Sequence, residues 1–275
     1  MSALALTAGV PPAGGTTRVL AAEEFHAPGL GLFEWDPLFE VGPVGVTKPM
    51  LLAVVLTTAV IAFFWAAFSK PQIVPRGAQN LAEIGYLFIR DDIARNLIGK
   101  KGDKYIGLLV SLFFFIWLFN LSAVVPVLYF PVTSRFAFPA VLAAIVYVTW
   151  IGVGIKAYGV RRFFGNMIPR GLPIGIYPLI IPIEFASNFI VRPFTHSVRL
   201  FANMFAGHLL VALFAITAWH FLVEKPTVLG FGVGIIGAVM TVVMTAFELL
   251  IQALQAFIFT LLAAAYIGGA LGETH

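Results

Sequence analysis

The chain has no cysteine. Disulfides, thiol nucleophiles and cysteine-ligated zinc or iron–sulfur centres are excluded. Charge is scarce as well. Asp, Glu, Lys and Arg make up 11% of 275 residues, against about 25% in an ordinary soluble domain. No His-Glu-x-x-His motif or other metal-ligand spacing occurs among the scattered histidines, so neither a metal, a cofactor nor a catalytic site of its own is expected. The net charge of +4 comes from bases set in short loops between apolar runs. That pattern reports topology and is not the footprint of a nucleic-acid partner.

What is there is apolar. Hydrophobic residues account for 60% of the chain, Phe alone for 27 residues, and mean hydropathy is +0.96. A water-soluble fold cannot hide that much apolar surface, so a lipid bilayer must be part of the solvent. The expected fold is an all-α polytopic membrane protein. It should have about five membrane-spanning helices and one amphipathic interfacial helix, with the last two helices long and strongly tilted.

The uncharged run near residues 50–68 is about the ~20 residues that one crossing needs, and Lys70 and Pro71 end it. Residues 76–104 mix charge with apolar positions. Leu81, Ile84, Gly85 and Phe88 share one helical face there, as in a helix lying on a membrane surface. Further spans are expected near 105–129 and 136–156. Two apolar stretches follow, 174–222 and 228–271. Each is too long for one upright crossing and must tilt, kink or split. No internal repeat or low-complexity tract is visible. This disfavours inverted-repeat transporters.

Orientation follows from the bases. The loop after the first span holds Lys70, Arg76, Arg90, Arg95, Lys100, Lys101 and Lys104, and the loop after the third holds Lys156, Arg161, Arg162 and Arg170. The opposite loops hold only Arg135 and Lys225. The positive-inside rule puts both basic loops in the cytoplasm and the N-terminus outside, and five crossings leave the C-terminus inside. Residues 1–47 are then an extracytoplasmic segment and 48–275 the membrane domain. The start lacks a basic stretch followed by a long apolar core, so no cleaved signal peptide is read. Phe33, Trp35 and Phe39 suit anchoring at an interface on an otherwise loosely ordered tail.

Chemistry concentrates in the fourth apolar stretch. Asn188, Arg192, His196, Arg199 and Asn203 are spaced by four, four, three and four residues and fall on one stripe of a helix. Against lipid such a stripe is costly. It should meet water, protein or a partner's carboxylates. Arg192 precedes Pro193, where a snorkelling arginine at a kink accounts for it as well as a functional one does. His196 fits either a buried structural histidine or a path residue. Arg199 has no acid within two helical turns and never loses its proton, so its partner must lie elsewhere. Asn203, one turn on, can orient the guanidinium.

His208 stands nine residues after Arg199, on the other side of the helix. In the last stretch Glu248, Gln252 and Gln255 share a face, and Glu248 is the only acid between residues 228 and 271. A His208–Glu248 pair would serve as a proton relay or a structural ion pair. Glu184, at the start of the fourth stretch, is either on a proton path or at a solvated helix end.

These residues carry a resemblance. Arg199-Leu200-Phe201-Ala202-Asn203-Met204-Phe205-Ala206-Gly207-His208 resembles the signature of ATP synthase subunit a. Glu248-Leu249-Leu250-Ile251-Gln252-Ala253-Leu254-Gln255-Ala256-Phe257-Ile258-Phe259 is similar to the family's last helix. Asn120-Leu121-Ser122-Ala123-Val124-Val125-Pro126 resembles the family's Asn-Leu-x-x-x-x-Pro turn. Phe25-His26-Ala27-Pro28-Gly29 followed by Phe33-Glu34-Trp35 resembles actinobacterial members. Some family members place Glu where His208 stands and His where Glu248 stands, so the pair is exchanged here but kept. Glu184 is nine residues before Pro193, one more than in the family pattern.

The resemblance implies a proton-translocating stator in a bacterial plasma membrane. Its partners would be the subunit c ring, subunit b, other ATP synthase subunits and the bilayer, with no cofactor. Two offset half-channels would lead to and from the ring carboxylates, with Arg199 between them. His208, Glu248 and Gln252 would line the inlet, and Asn203 and Gln255 would border Arg199. His196, Arg192 and Glu184 complete the candidate path. Two other classes fit the residues alone. An ion-coupled transporter would enclose Arg192 or Arg199 in a midplane cavity around an anionic substrate. A membrane enzyme would use a His–Glu acid–base pair.

The orientation is directly testable, because the chain offers no background thiol. A Lys100→Cys variant should react with an impermeant maleimide only from the cytoplasmic side. Labelling from outside in intact cells would reverse the topology.

Overall fold

A computed structural model describes residues 27–33, 35, 37–41, 44–125, 128, 130–167 and 173–272. Arg18, Glu23, Glu24, Phe25, His26, Glu34, Asp36, Pro126, Arg170 and the 273–275 tail lie outside the described residues. A short 3-10 turn, Leu30–Phe33, leads to a hairpin of β1 (Phe39–Val41) and β2 (Val44–Val46), antiparallel with Phe39 opposite Val46. The helices are α1 (Lys48–Phe68), α2 (Ala78–Leu87), α3 (Asn96–Ile98), α4 (Ile106–Leu121), α5 (Ala137–Tyr158), α6 (Val160–Asn166), α7 (Tyr177–Ala186), α8 (Arg192–Trp219) and α9 (Val228–Leu271). Among the described residues five helical segments are long and apolar enough to cross a membrane. The protein is an all-α polytopic membrane protein.

Local sequence sets the boundaries. Thr47 and Pro49 open α1, with Pro in the first turn, where its missing N–H matters least. Gly159 at φ 76° ends α5 and turns the chain into α6. Thr227 caps α9 by accepting a hydrogen bond from the Gly230 N–H at 3.0 Å. Gly272 closes α9 in the left-handed region at φ 76°. Between those caps α9 runs unbroken for 44 residues, about 66 Å at the usual rise. That is twice a ~30 Å hydrocarbon core, so it can cross only at a steep tilt. The fourth stretch is split instead. A wide π turn, Ser187–Val191, joins α7 to α8 just before Pro193. Pro193 cannot donate to Phe189 and its ring crowds that carbonyl, and the extra residue in the turn relieves both problems.

The region 78–105 breaks into α2, a π stretch at Phe88–Arg95, α3 and a 3-10 stretch at Gly99–Tyr105. Leu81 and Ile84 of the expected apolar face are exposed (63% and 57%). The face against the protein is instead Ala82, Ile89, Ile93 and Ile98, each fully buried. Leu81 and Ile84 thus point away from the protein, and Ala82 and the three isoleucines pack inward. Arg90 pairs with Asp91 at 2.9 Å, and Arg95 with Asp91 at 3.2 Å and Asp103 at 3.1 Å. These exposed pairs add little to stability but keep the segment's charge in one layer.

The core lies among α4, α5, α8 and α9, with Leu109, Ile116, Val146, Leu200, Phe259 and Ile267 buried in it. Lipid tails are as apolar as these side chains, so close packing of small residues must hold the helices together. Gly237 meets the α8 backbone. A Cβ there would lie 3.0 Å from the Ala218 nitrogen and 3.1 Å from the Phe214 carbonyl oxygen. Gly268 does the same at the other end, where a Cβ would run into the Leu97 carbonyl oxygen. The loop between α4 and α5 is closed by polar bonds. Thr133 Oγ1 donates to Asn120 Oδ1 at 2.5 Å, and Ser122 Oγ donates to the Phe130 carbonyl at 2.7 Å.

Gly268→Val should push α9 off the 96–98 segment at a cost of about 1–3 kcal/mol. Thermal unfolding in detergent would read this as a lowered midpoint, while Gly107→Ala, with nothing within 4 Å of its Cβ, should change little.

Candidate functional site

The α8–α9 hairpin brings the candidate residues together. Asn203 Nδ2 donates to Gln255 Oε1 at 2.7 Å, a side-chain bond between helices 52 residues apart in sequence. Gln252 and Gln255 are buried at 0% and 2% exposure. Glu248 is buried on the same face of α9, against Gly207, whose Cβ would lie 3.6 Å from Glu248 Cγ. His208, the next residue on α8, is buried as well. The two helices therefore hold His208 and Glu248 at one level of the hairpin. A pocket of about 160 Å³ opens there, lined by Asn203, Gly207, Met244, Phe247 and Glu248 among others.

The expected polar stripe is divided. Asn188 and His196 are buried, whereas Arg192, Arg199 and Asn203 are exposed. The π turn shifts the helical register between Asn188 and Arg192, and around α8 the buried side carries His196, Ser197, Leu200 and Met204 while Arg199 falls on the other side with Arg192, Ala202 and Asn203. Arg199 is thus not enclosed in this chain. It stands on the open face of α8 beside the small exposed residues Ala202 and Ala206. Among the described residues it forms no ion pair.

On the other side of Arg199 along α8, toward the end carrying the basic loops, lies a second cavity of about 350 Å³. Glu184, Asn188, Arg192, Tyr158, Asn166 and Tyr266 are among its lining residues. Asn188 Nδ2 donates to Glu184, at 2.8 Å to its carbonyl oxygen and 3.2 Å to its carboxylate. Glu184 is therefore a cavity-lining residue one turn from Asn188.

The chain belongs to the ATP synthase A chain family. A family-wide sequence profile of that description matches residues 50–268. The chain is similar to proteins named ATP synthase subunit a from Streptomyces lividans (50% identical over 274 residues, 94% of this chain and 95% of that protein). The corresponding protein of Frankia alni is 44% identical over 261 residues, covering 93% and 89% of the two chains. That of Rhodococcus erythropolis is 40% identical over 260 residues, covering 93% and 94%. The resemblance read from the sequence, including its actinobacterial cast, agrees with these relatives. Family and fold together make this chain a multi-pass bacterial membrane protein that works with other ATP synthase subunits.

Some of the site was not visible in the sequence. Phe33, expected on a loose tail, packs instead on α8, 4.4 Å from the Phe205 ring and 6.0 Å from that of His208. Trp35 stacks edge-on to Phe130 at 5.7 Å and carries the Lys48 ammonium 4.6 Å above its ring. Tyr147 and Tyr266 surround His196. A tyrosine within an apolar span was the only signal for either, and it does not say which residue the hydroxyl meets.

The Asn203–Gln255 bond should be detectable as coupling. In a double-mutant cycle of Asn203→Ala and Gln255→Ala, the thermal stability of the detergent-solubilised protein should show an interaction energy of about 0.6 kcal/mol, with ~1.7 as an upper bound. Strict additivity would mean that the bond contributes nothing.

Proposed function

We propose that this chain is the proton-conducting stator of a rotary ATP synthase, with Arg199 dividing an inlet path from an outlet path. As a family member it is a proton-translocating subunit of the membrane sector. The observation that carries the finer reading is the exposure of Arg199 on a membrane-crossing helix without an acidic partner among the described residues. A charge at bilayer depth needs a counter-charge. Here the counter-charge must come from another chain, and a ring of subunit c carrying one buried carboxylate per site supplies it. An ion-coupled transporter would instead enclose the arginine, which the open α8 face does not favour.

The two cavities support the offset paths. The 160 Å³ pocket with Asn203 and Glu248 lies on one side of Arg199 along α8, and the 350 Å³ cavity with Glu184, Asn188 and Arg192 on the other. In this reading His208, Glu248 and Gln252 bring a proton from outside to a ring carboxylate. Neutralised, that site turns into lipid and returns on the far side of Arg199, where the proton leaves past Arg192 and Glu184 to the cytoplasm. Arg199 holds each ionised carboxylate in turn, and its fixed charge repels a proton that would leak straight across. Arginine suits this because it stays protonated where a lysine could lose its charge. Each proton is worth about 2.3 kcal/mol per 100 mV, so a leak past Arg199 is a direct loss of coupling. Subunit b, an extracytoplasmic 1–47 segment, a membrane domain from residue 48 and a cytoplasmic C-terminus belong to the same proposal.

Arg199→Ala should insert and assemble, because removing the charge does not hinder partitioning into the bilayer. ATP-driven proton pumping in inverted vesicles should vanish, while passive leak persists or rises. Arg199→Lys should fail as well. Normal pumping by assembled Arg199→Ala enzyme would show that the arginine does not divide the paths.

A further inference from the structure

His196 is 2% exposed, and neither ring nitrogen has a hydrogen-bond partner among the described residues. Burying a polar group in that way costs about 1–3 kcal/mol. A leucine of similar volume would fill the space without that cost, so packing alone does not explain an imidazole here. Its surroundings come from three helices. Phe259 of α9 closes one side, with ring centroids 3.8 Å apart. Tyr266 of α9 lies 5.9 Å away and Tyr147 of α5 lies 6.3 Å away, and the two tyrosine rings are 5.4 Å from each other. The other charged neighbours are on α8 itself, Arg192 and Arg199, one turn to either side.

The cluster joins two places already described. Tyr266 and Arg192 line the 350 Å³ cavity with Glu184 and Asn188. Arg199 does not line it, and His196 stands between Arg192 and Arg199. We infer that His196, with the hydroxyls of Tyr147 and Tyr266, is a proton-transfer station linking the surroundings of Arg199 to that cavity. This rests on the proton-conducting reading of Arg199 and assigns the step that reading leaves open, the passage from Arg199 to the cavity further along α8.

The chemistry balances without a lasting charge. Neutral imidazole has one N–H and one acceptor nitrogen. A proton arriving from the Arg199 side bonds to the acceptor nitrogen. The N–H bond at the other nitrogen breaks, and that proton passes through a bridging water to a tyrosine oxygen, which releases its own proton toward the cavity. The ring is left neutral as the other tautomer, and rotation of the imidazole about its Cβ–Cγ bond restores the starting arrangement for the next proton. Imidazole is suited to the task because it takes up and gives up protons near neutrality. An amide of similar polarity can hydrogen-bond but cannot carry the proton.

The complete synthase in inverted vesicles tests this with His196→Gln, His196→Leu and Tyr147→Phe, assembly being checked by co-purification. Both His196 variants should lose ATP-driven pumping by roughly 100-fold, the low end for a positioned proton donor and acceptor, and Tyr147→Phe should lower it as well. Wild-type pumping by assembled His196→Gln would overturn the inference, since a polar, non-titrating side chain would then suffice. If neither His196 variant assembles, Tyr147→Phe decides, and normal pumping there overturns it. Normal His196→Gln pumping beside an inactive Arg199→Ala enzyme refutes the station alone. Normal pumping by Arg199→Ala removes the reading on which the station rests.

Discussion

A guanidinium at bilayer depth is tolerated only where opposite charge or water faces it. By insertion scales a central arginine costs about 2.5–3.5 kcal/mol. Arg199 meets that constraint outward. Its own helix offers Asn203, which is itself tied to Gln255 of α9 at 2.7 Å, and no acid among the described residues pairs with it. The rest of the hairpin follows from keeping this one charge open on one face. The buried side of α8 takes the packing, through Leu200 and Met204 at 0% exposure. The remaining polar residues are sorted into separate levels, His208 and Glu248 toward one end and Glu184, Asn188 and Arg192 toward the other.

Much of the fold was legible because lipid imposes a simple code. Uncharged runs of spanning length gave the helices, and clustered bases gave the loops. The long last helix followed from 44 residues with no break signal except glycine, and Gly230, Gly234, Gly237 and Gly268 serve contact and not termination. The interfacial region was less legible. Helical periodicity found Leu81 and Ile84 on one face but could not say that this face looks toward lipid, since an apolar stripe suits protein and lipid alike. The π turn before Pro193 was readable only as a kink.

The site was legible in its residues and not in their exposure. Spacing placed Arg199, His196 and Asn203 on a common stripe, yet His196 is buried and Arg199 is not. Periodicity groups residues on a broad stripe, whereas burial depends on which part of that stripe the neighbouring helices cover. Phe33 shows the same limit from another direction. Nothing local ties a residue in a Gly- and Pro-rich segment to a histidine 175 positions later, and only the folded arrangement brings their rings to 6.0 Å.

The two close approaches of α9 have a mechanical consequence. Gly237 rests on the α8 backbone and Gly268 on that of Leu97, 31 residues apart or about 46 Å along the axis. The helix is thus held like a beam fixed at two supports. Such a beam bends far less at mid-span than one fixed at a single end. Gln252 lies at the midpoint between the supports, with Glu248 and Gln255 within a turn of it. A sideways load on side chains there is shared by both ends of the bundle.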